Sequence, residues 1–241
     1  MMTSEKEILA SLLRLTKTGL VQTELIKKDA RVSTEVMEDV LRKLSEAGLI
    51  NQQQGLVEVS PSQRVNLAVH ALKLGADYEQ ICKLLSWIEF ESIAAQAFEA
   101  NQFCVLKNFH FKNTGKRWEI DILGCREPLI VCVDCKHWQH GWSRAAIIKA
   151  VEAQTERTRA FADALPNYYQ KARLAEWKSA TLIPLILSLI PGPFTFHNNV
   201  PVVPVLQLRD FINEVPLEVH SLTHFTKKYV RFDQKLTNYS K

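Results

Sequence analysis

Two runs of strand-forming residues that carry acids, Trp118-Glu119-Ile120-Asp121-Ile122-Leu123 and Val131-Cys132-Val133-Asp134-Cys135-Lys136, constrain the fold more than any other part of the chain. Both are dense in β-branched and apolar side chains and read as strands. Strand side chains alternate between faces. This predicts Glu119 and Asp121 on one face, with Ile120 and Ile122 on the other. On the second run Asp134 and Lys136 share a face, while Val131, Val133 and Cys135 take the opposite one. A short reversal around Gly124 to Pro128 predicts an antiparallel pair. Two carboxylates and a lysine then converge at one edge of a sheet. Charges beside a core are costly unless they bind something, most naturally a divalent cation.

This set is complete for metal-dependent hydrolysis of a nucleic-acid backbone. Magnesium is commonly held by one or two carboxylates, with waters and phosphate oxygens completing its shell. Such a metal polarises a phosphate and lowers the pKa of water. A lysine on the same face orients the attacking water and offsets growing negative charge. The triplet acid-x-Lys occurs at Asp134, Glu176 and Asp233. Only Asp134-Cys135-Lys136 ends an apolar strand that follows another acid-bearing strand, so context singles it out.

With those residues the chain resembles the PD-(D/E)xK nuclease superfamily, in the branch of Mrr-type restriction enzymes and archaeal Holliday-junction resolvases. The pattern of that group is a helix with a glutamate, a strand, a strand with Asp, a strand with Glu/Asp-x-Lys, and a helix. Here Phe90-Glu91 opens the helix and Gln102-Phe103 closes it. Asp121 matches the first acid, Asp134 the second, and Lys136 the lysine. The resemblance covers roughly residues 87–210. Ile120 stands where the group's name has proline, and Asp134 replaces the commoner glutamate, shortening that ligand by one methylene. The resemblance implies Mg2+ (or Mn2+) held by Asp121 and Asp134, with Glu91 assisting through water and Lys136 placing the nucleophile. It also implies a role at the site for a helical glutamine, carried here to Gln154.

The helix readings agree. Over Trp87 to Asn101, Phe90, Ile93, Ala94, Ala97 and Phe98 form an apolar stripe. Glu91 lies on its border and Glu99 nearly opposite, so only Glu91 can reach a site at the core's edge. Over Ser143 to Leu165 the stripe is Ile147, Val151, Thr158, Phe161 and Leu165. Gln154 sits on it, where an amide needs a partner. The intervening loop is rich in rings: His137, Trp138, His140 and Trp142. Cys132 and Cys135 with His137 and His140 raise the question of zinc, but thiols three apart on a strand point to opposite faces. The chain contains no G-x-x-x-x-G-K loop and no nucleophile elbow.

Upstream, residues 4–16, Thr23 to Lys28 and Ser33 to Ala47 read as helices, and Leu49 to Val59 as a hairpin around Gly55. That order, with Leu41 to Ile50 as its signature, resembles a winged helix-turn-helix. Residues 62–74 and 78–85 read as linking helices. The expected organisation is a winged helix-turn-helix domain (1–60), a helical linker (61–86) and a restriction-endonuclease-like α/β domain (87–241) with a central mixed sheet flanked by helices. A strand at Thr181 to Ile190, another at Val202 to Leu206 and a short helix at Leu208 to Glu214 complete it.

Charge follows the same division. Residues 1–89 carry 11 Lys and Arg against 12 Asp and Glu, whereas residues 90–241 carry 19 against 14. A phosphate-binding surface requires such an excess. In and just before the third helix, Glu35, Glu38 and Asp39 oppose Arg31, Arg42 and Lys43. The apolar run Leu182 to Ile190 is too short to span a membrane and is broken by Pro184. Five cysteines without framework spacing fit a reducing, cytoplasmic setting. The expectation is a cytoplasmic, metal-dependent DNA endonuclease, with DNA as partner, no membrane, and a homodimer by analogy. The rivals are a non-catalytic DNA-binding or regulatory protein on a nuclease scaffold and an RNA-processing nuclease.

Overall fold

The computed structural model describes residues 2–136, 143–174, 176–188 and 191–228. The ring-rich loop with His137, Trp138, His140 and Trp142 lies outside the described residues, as do Leu189, Ile190 and the acid-x-Lys triplet at Asp233. The chain forms two units, the first built on residues 1–96 and the second on residues 97–136, 142–187 and 192–241.

In the first unit, α1 (Met2–Leu15), β1 (Val21–Gln22), α2 (Thr23–Ala30) and α3 (Thr34–Glu46) precede a hairpin of β2 (Asn51–Gln53) and β3 (Leu56–Glu58). The strands form an antiparallel sheet in the order β1-β3-β2. The Ser33 hydroxyl caps α3 by accepting from the Val36 amide. Helices α4 (Pro61–Lys73) and α5 (Tyr78–Lys83) follow, then the start of α6 (Trp87–Ala100). Ser60, Pro61 and Gln63 open α4 with a reciprocal capping box. Leu67, Ala68 and Ala71 of α4 and Ile81 of α5 share one core with Ile8, Leu12, Leu41 and Val57. Residues 61–86 therefore pack with the preceding helices in a continuous apolar cluster.

One buried cation ties this unit together. Arg64 is 4 % exposed and Glu89 5 %. The guanidinium donates to Glu89 Oε1 at 2.6 Å, to the Leu13 carbonyl at 2.7 Å, to Thr16 Oγ1 at 3.0 Å and to the Leu84 carbonyl at 2.9 Å. Each of these hydrogen bonds offsets part of the cost of removing the charge from water.

The second unit is α/β. Strands β4 (Cys104–Asn113), β5 (Lys116–Arg126) and β6 (Leu129–Lys136) form an antiparallel meander. Helix α7 (Arg144–Ala164) leads to β7 (Ser179–Ser188), which lies beside β6. Strands β8 (Phe196–His197) and β9 (Val200–Pro204), helix α8 (Leu208–Glu218) and strand β10 (Phe225–Lys228) complete the fold. The sheet is mixed and seven-stranded, in the order β4-β5-β6-β7-β9-β8 with β10 also on β7. Phe161 of α7 and Leu165 just after it pack with Phe109, Phe111, Ile120, Leu123, Ile130 and Cys132. No helix among the described residues is long and apolar enough to cross a membrane.

Two sequence expectations about this meander are corrected. Gly124 lies inside β5, and the reversal is confined to Glu127 and Pro128. A Cβ at position 124 would fall 2.8 Å from the Phe98 ring, so the glycine admits an aromatic ring against the strand. The second correction concerns the pleat. Leu106 and Phe109 of β4 join the same cluster, as do Leu123 and Ile120 of β5, although each pair is separated by an odd number of residues. The ladder pairs Lys107 with Ile122 and Phe109 with Ile120 but passes over Asn108 and Asp121. Asn108 has φ +49°, a left-handed conformation that asparagine tolerates. The faces exchange there, so Glu119 does not share a face with Asp121. Glu119 is exposed, with His110 3.9 Å away.

Candidate active site

The fork between β5 and β6 carries the site. Their ladder runs from Arg126 opposite Leu129 to Ile122 opposite Val133. Continued by one step, the register would set Asp121 opposite Asp134, but the backbone pairing has ended. Instead Asp121 Oδ2 accepts the Cys135 amide proton at 2.7 Å. The carboxylate thus satisfies a backbone donor released by the opening strands. Burial pushes the Asp121 pKa up to about 6, against the lowering effect of the Cys135 N–H, with Asp134 adding to the rise.

Asp134 is 4 % exposed. Lys136 Nζ lies 2.7 Å from its Oδ2, and Arg157 Nη1 donates to its Oδ1 at 2.7 Å. Lys136 shares the Asp134 face of the strand, as alternation predicts, and remains partly open to solvent. The two carboxylates and two cations sum to zero charge, which makes a half-buried cluster tolerable.

Helix α7 supplies the inner wall. Gln154 is fully buried, and its Nε2 donates to the Cys132 carbonyl at 2.6 Å. Its Oε1 accepts from Arg157. The amide predicted to need a partner therefore has two, one of which also holds Asp134. Arg157 is the residue that sequence reasoning missed. Among the charges of Glu156, Arg157 and Arg159 it looks like solvated surface. Its signal was its position one helical turn from Gln154, on the face that bears the buried amide.

Asp121, Asp134, Lys136 and Gln154 are thus gathered within the second unit. Glu91 lies on α6 in the first unit and is buried. Cys132 packs against α7, and Cys135, three positions on, does not join that cluster. Among the described residues no three His, Cys, Asp or Glu side chains gather closely enough to hold a metal by themselves. The site offers a carboxylate pair, a set of hard oxygen donors that suits an ion such as magnesium, which keeps several waters.

Residues 86–202 match the family described as Nuclease-related domain. An uncharacterized protein of Archaeoglobus fulgidus is 28 % identical over 131 residues, spanning 54 % of this chain and 92 % of that protein. Among solved structures, protein VC1899 from Vibrio cholerae is 13 % identical, with 91 % of this chain and 51 % of that chain covered at a TM-score of 0.37. The restriction endonuclease FokI is 13 % identical, with 91 % and 44 % covered at a TM-score of 0.38. The chain spans about half the length of the solved structures it matches. Glu91, Asp121, Asp134, Lys136, Gln154 and Arg157 all fall within the stretch that is similar to the nuclease-related domain.

Proposed function

We propose that the second unit is a metal-dependent nuclease that hydrolyses phosphodiester bonds of DNA, with Mg2+ or Mn2+ held by Asp121 and Asp134. The observation that carries this reading is the fork itself. Two carboxylates stand where an antiparallel ladder opens, and the lysine two residues beyond the second acid reaches that acid. The donor set fits the ion: hard oxygen ligands, few enough to leave room for waters and phosphate. Asp121 supports the fit, because a cation beside it offsets the desolvation that raises its pKa.

When bound, the ion supplies Lewis acidity toward the phosphate and lowers the pKa of water. The residues of the chain do the rest. Asp121, anchored by the Cys135 amide, and Asp134, anchored by Arg157, present their oxygens in fixed positions. Lys136 lies at the open side of Asp134, where its ammonium orients a water and offsets charge growing on the phosphate. Gln154 and Arg157 hold the second acid against the helix. Glu91 keeps the assisting role that the resemblance implies, and its test is Glu91→Gln. The first unit, with its β1-β3-β2 sheet, is proposed as a winged helix that serves choice of site or partner. Within α3, Asp39 already holds Arg42 at 2.7 Å and Lys43 at 2.6 Å, so those cations are occupied.

The test is a cleavage panel of linear, branched, single-stranded and methylated DNA, and RNA, with and without Mg2+. Cleavage of DNA that requires the ion and is lost in Asp134→Asn supports the reading. Binding of DNA with no cleavage of any substrate would instead make the chain a DNA-binding protein on a nuclease scaffold.

A further inference from the structure

Away from the acids, the β4–β5 hairpin carries a second constellation that the catalytic reading leaves unused. A hollow of about 630 Å³ is lined by His110, Lys112, Arg117, Trp118, Tyr168 and Lys171. The lining contains no acid. Glu119 stands nearby, with one oxygen 3.9 Å from His110 Nδ1. Lys112 and Arg117 are directly opposite each other in the ladder. Like charges at such positions destabilise a sheet. Among the described residues neither has a carboxylate within 4 Å, whereas the neighbouring Lys116 reaches Glu156 at 3.3 Å.

The hollow is built and not merely charged. The Tyr168 hydroxyl accepts the Lys112 amide proton at 2.8 Å, and among the described residues its own proton has no acceptor. Lys171 donates to the His110 carbonyl and lies over the Phe109 ring at 4.8 Å and the Tyr168 ring at 5.7 Å. Its ammonium is thereby held in place with donors to spare. A repelling cation pair, a third fixed cation and a phenol proton, set around one hollow, call for an anion with several oxygens.

The proposed reaction of the same unit says which anion. Arg117 lies on β5, the strand that also bears Asp121. A nucleic-acid backbone is a chain of such anions, and Lys and Arg side chains that neutralise its phosphates supply sequence-independent affinity. We infer that the hollow beside Lys112, Arg117 and Lys171 holds a backbone phosphate of the DNA on which the proposed active site acts, away from the bond that is cut. The inference rests on the proposed nuclease reading and adds a non-catalytic anchoring site to it.

The test measures binding of a fluorescent 20-base-pair duplex to the full chain at several salt concentrations. Lys112→Gln/Arg117→Gln removes two exposed cations from the hollow. Lys149→Gln/Lys178→Gln removes two exposed cations elsewhere on the same unit and controls for net charge. Unchanged melting temperatures establish that both variants fold. The hollow variant should lower the salt slope by about 1.8, at about 0.9 for each phosphate no longer neutralised, and weaken binding by about tenfold or more at low salt. The control should keep a slope near wild type. If the hollow variant keeps its slope, or the control loses as much, the anchoring site is overturned while wild-type cleavage leaves the nuclease reading intact. A wild-type chain that neither binds nor cuts DNA overturns both.

Discussion

Replacing Asp121 by asparagine should make the metal-free protein more stable near neutral pH while abolishing its activity. Asp121 ionises at about 6 in the folded chain, against 3.8 for an ordinary aspartate, chiefly because burial disfavours the charge. That difference corresponds to about 3 kcal/mol of ionisation cost. The folded pKa is the raised one, so the stability from this group is fully present below the unfolded value. It is lost as pH rises through the folded value. From pH 4 to pH 7.5 the wild type should therefore lose about 2 kcal/mol that Asp121→Asn keeps. Part of the gain is offset, because an amide oxygen accepts the Cys135 N–H less strongly than a carboxylate, a difference of about 1 kcal/mol. Scanning calorimetry in chelator at the two pH values reads the effect. A variant that is equally destabilised at both pH values would refute the reasoning, since Asp121 would then be a structural acceptor with no buried-charge penalty. Added Mn2+ should raise the melting temperature of the wild type by mass action and leave that of Asp121→Asn unchanged.

Three further outcomes follow from the same geometry. Lys136→Ala should lower the single-turnover cleavage rate at least about 100-fold while changing DNA affinity less than about threefold, because its role is realised in the transition state; a rate near wild type would make it a surface lysine. Arg64→Ala should destabilise the first unit by about 3–5 kcal/mol, since Glu89 and two backbone carbonyls lose a buried cation; denaturation showing a change under about 1 kcal/mol would contradict the network. Arg42→Gln/Lys43→Gln should leave the salt slope of DNA binding near wild type, because both cations are held by Asp39 and Glu46; a slope lower by about 1.8 would show instead that α3 meets phosphate.

Much of the second unit was legible because its strands alternate and its helices carry clear stripes. The runs around Asp121 and Asp134 read as strands from their β-branched density, and the short connection between them made the pair antiparallel. Gln154 could be singled out because an amide on an apolar stripe must find a partner. What remained hidden depends on tertiary placement. The pleat reversal opposite Asp121 arises from one left-handed residue, Asn108, and nothing local marks it. Gly124 reads as a turn residue until the Phe98 ring is seen against it. Arg157 resembles any solvated helix charge until α7 is laid over β6. Helix α8 was expected to stop at Glu214. It continues through Pro216 to Glu218, because Ile212 and Val215 bury its inner face. Strand β10 was invisible in a polar tail, since its pairing is with the distant residues 179–182 of β7.

The central claim is that the fork of β5 and β6 is a metal site for phosphodiester hydrolysis. It is tested most directly by the rate of DNA cleavage as a function of Mn2+ concentration, in wild type and in Asp121→Asn. The account predicts no cleavage by wild type in chelator, a rate that rises and saturates with the ion at millimolar concentration or below, and no cleavage by the variant at any concentration. Cleavage that persists in chelator, or a variant with the same metal dependence as wild type, would contradict it.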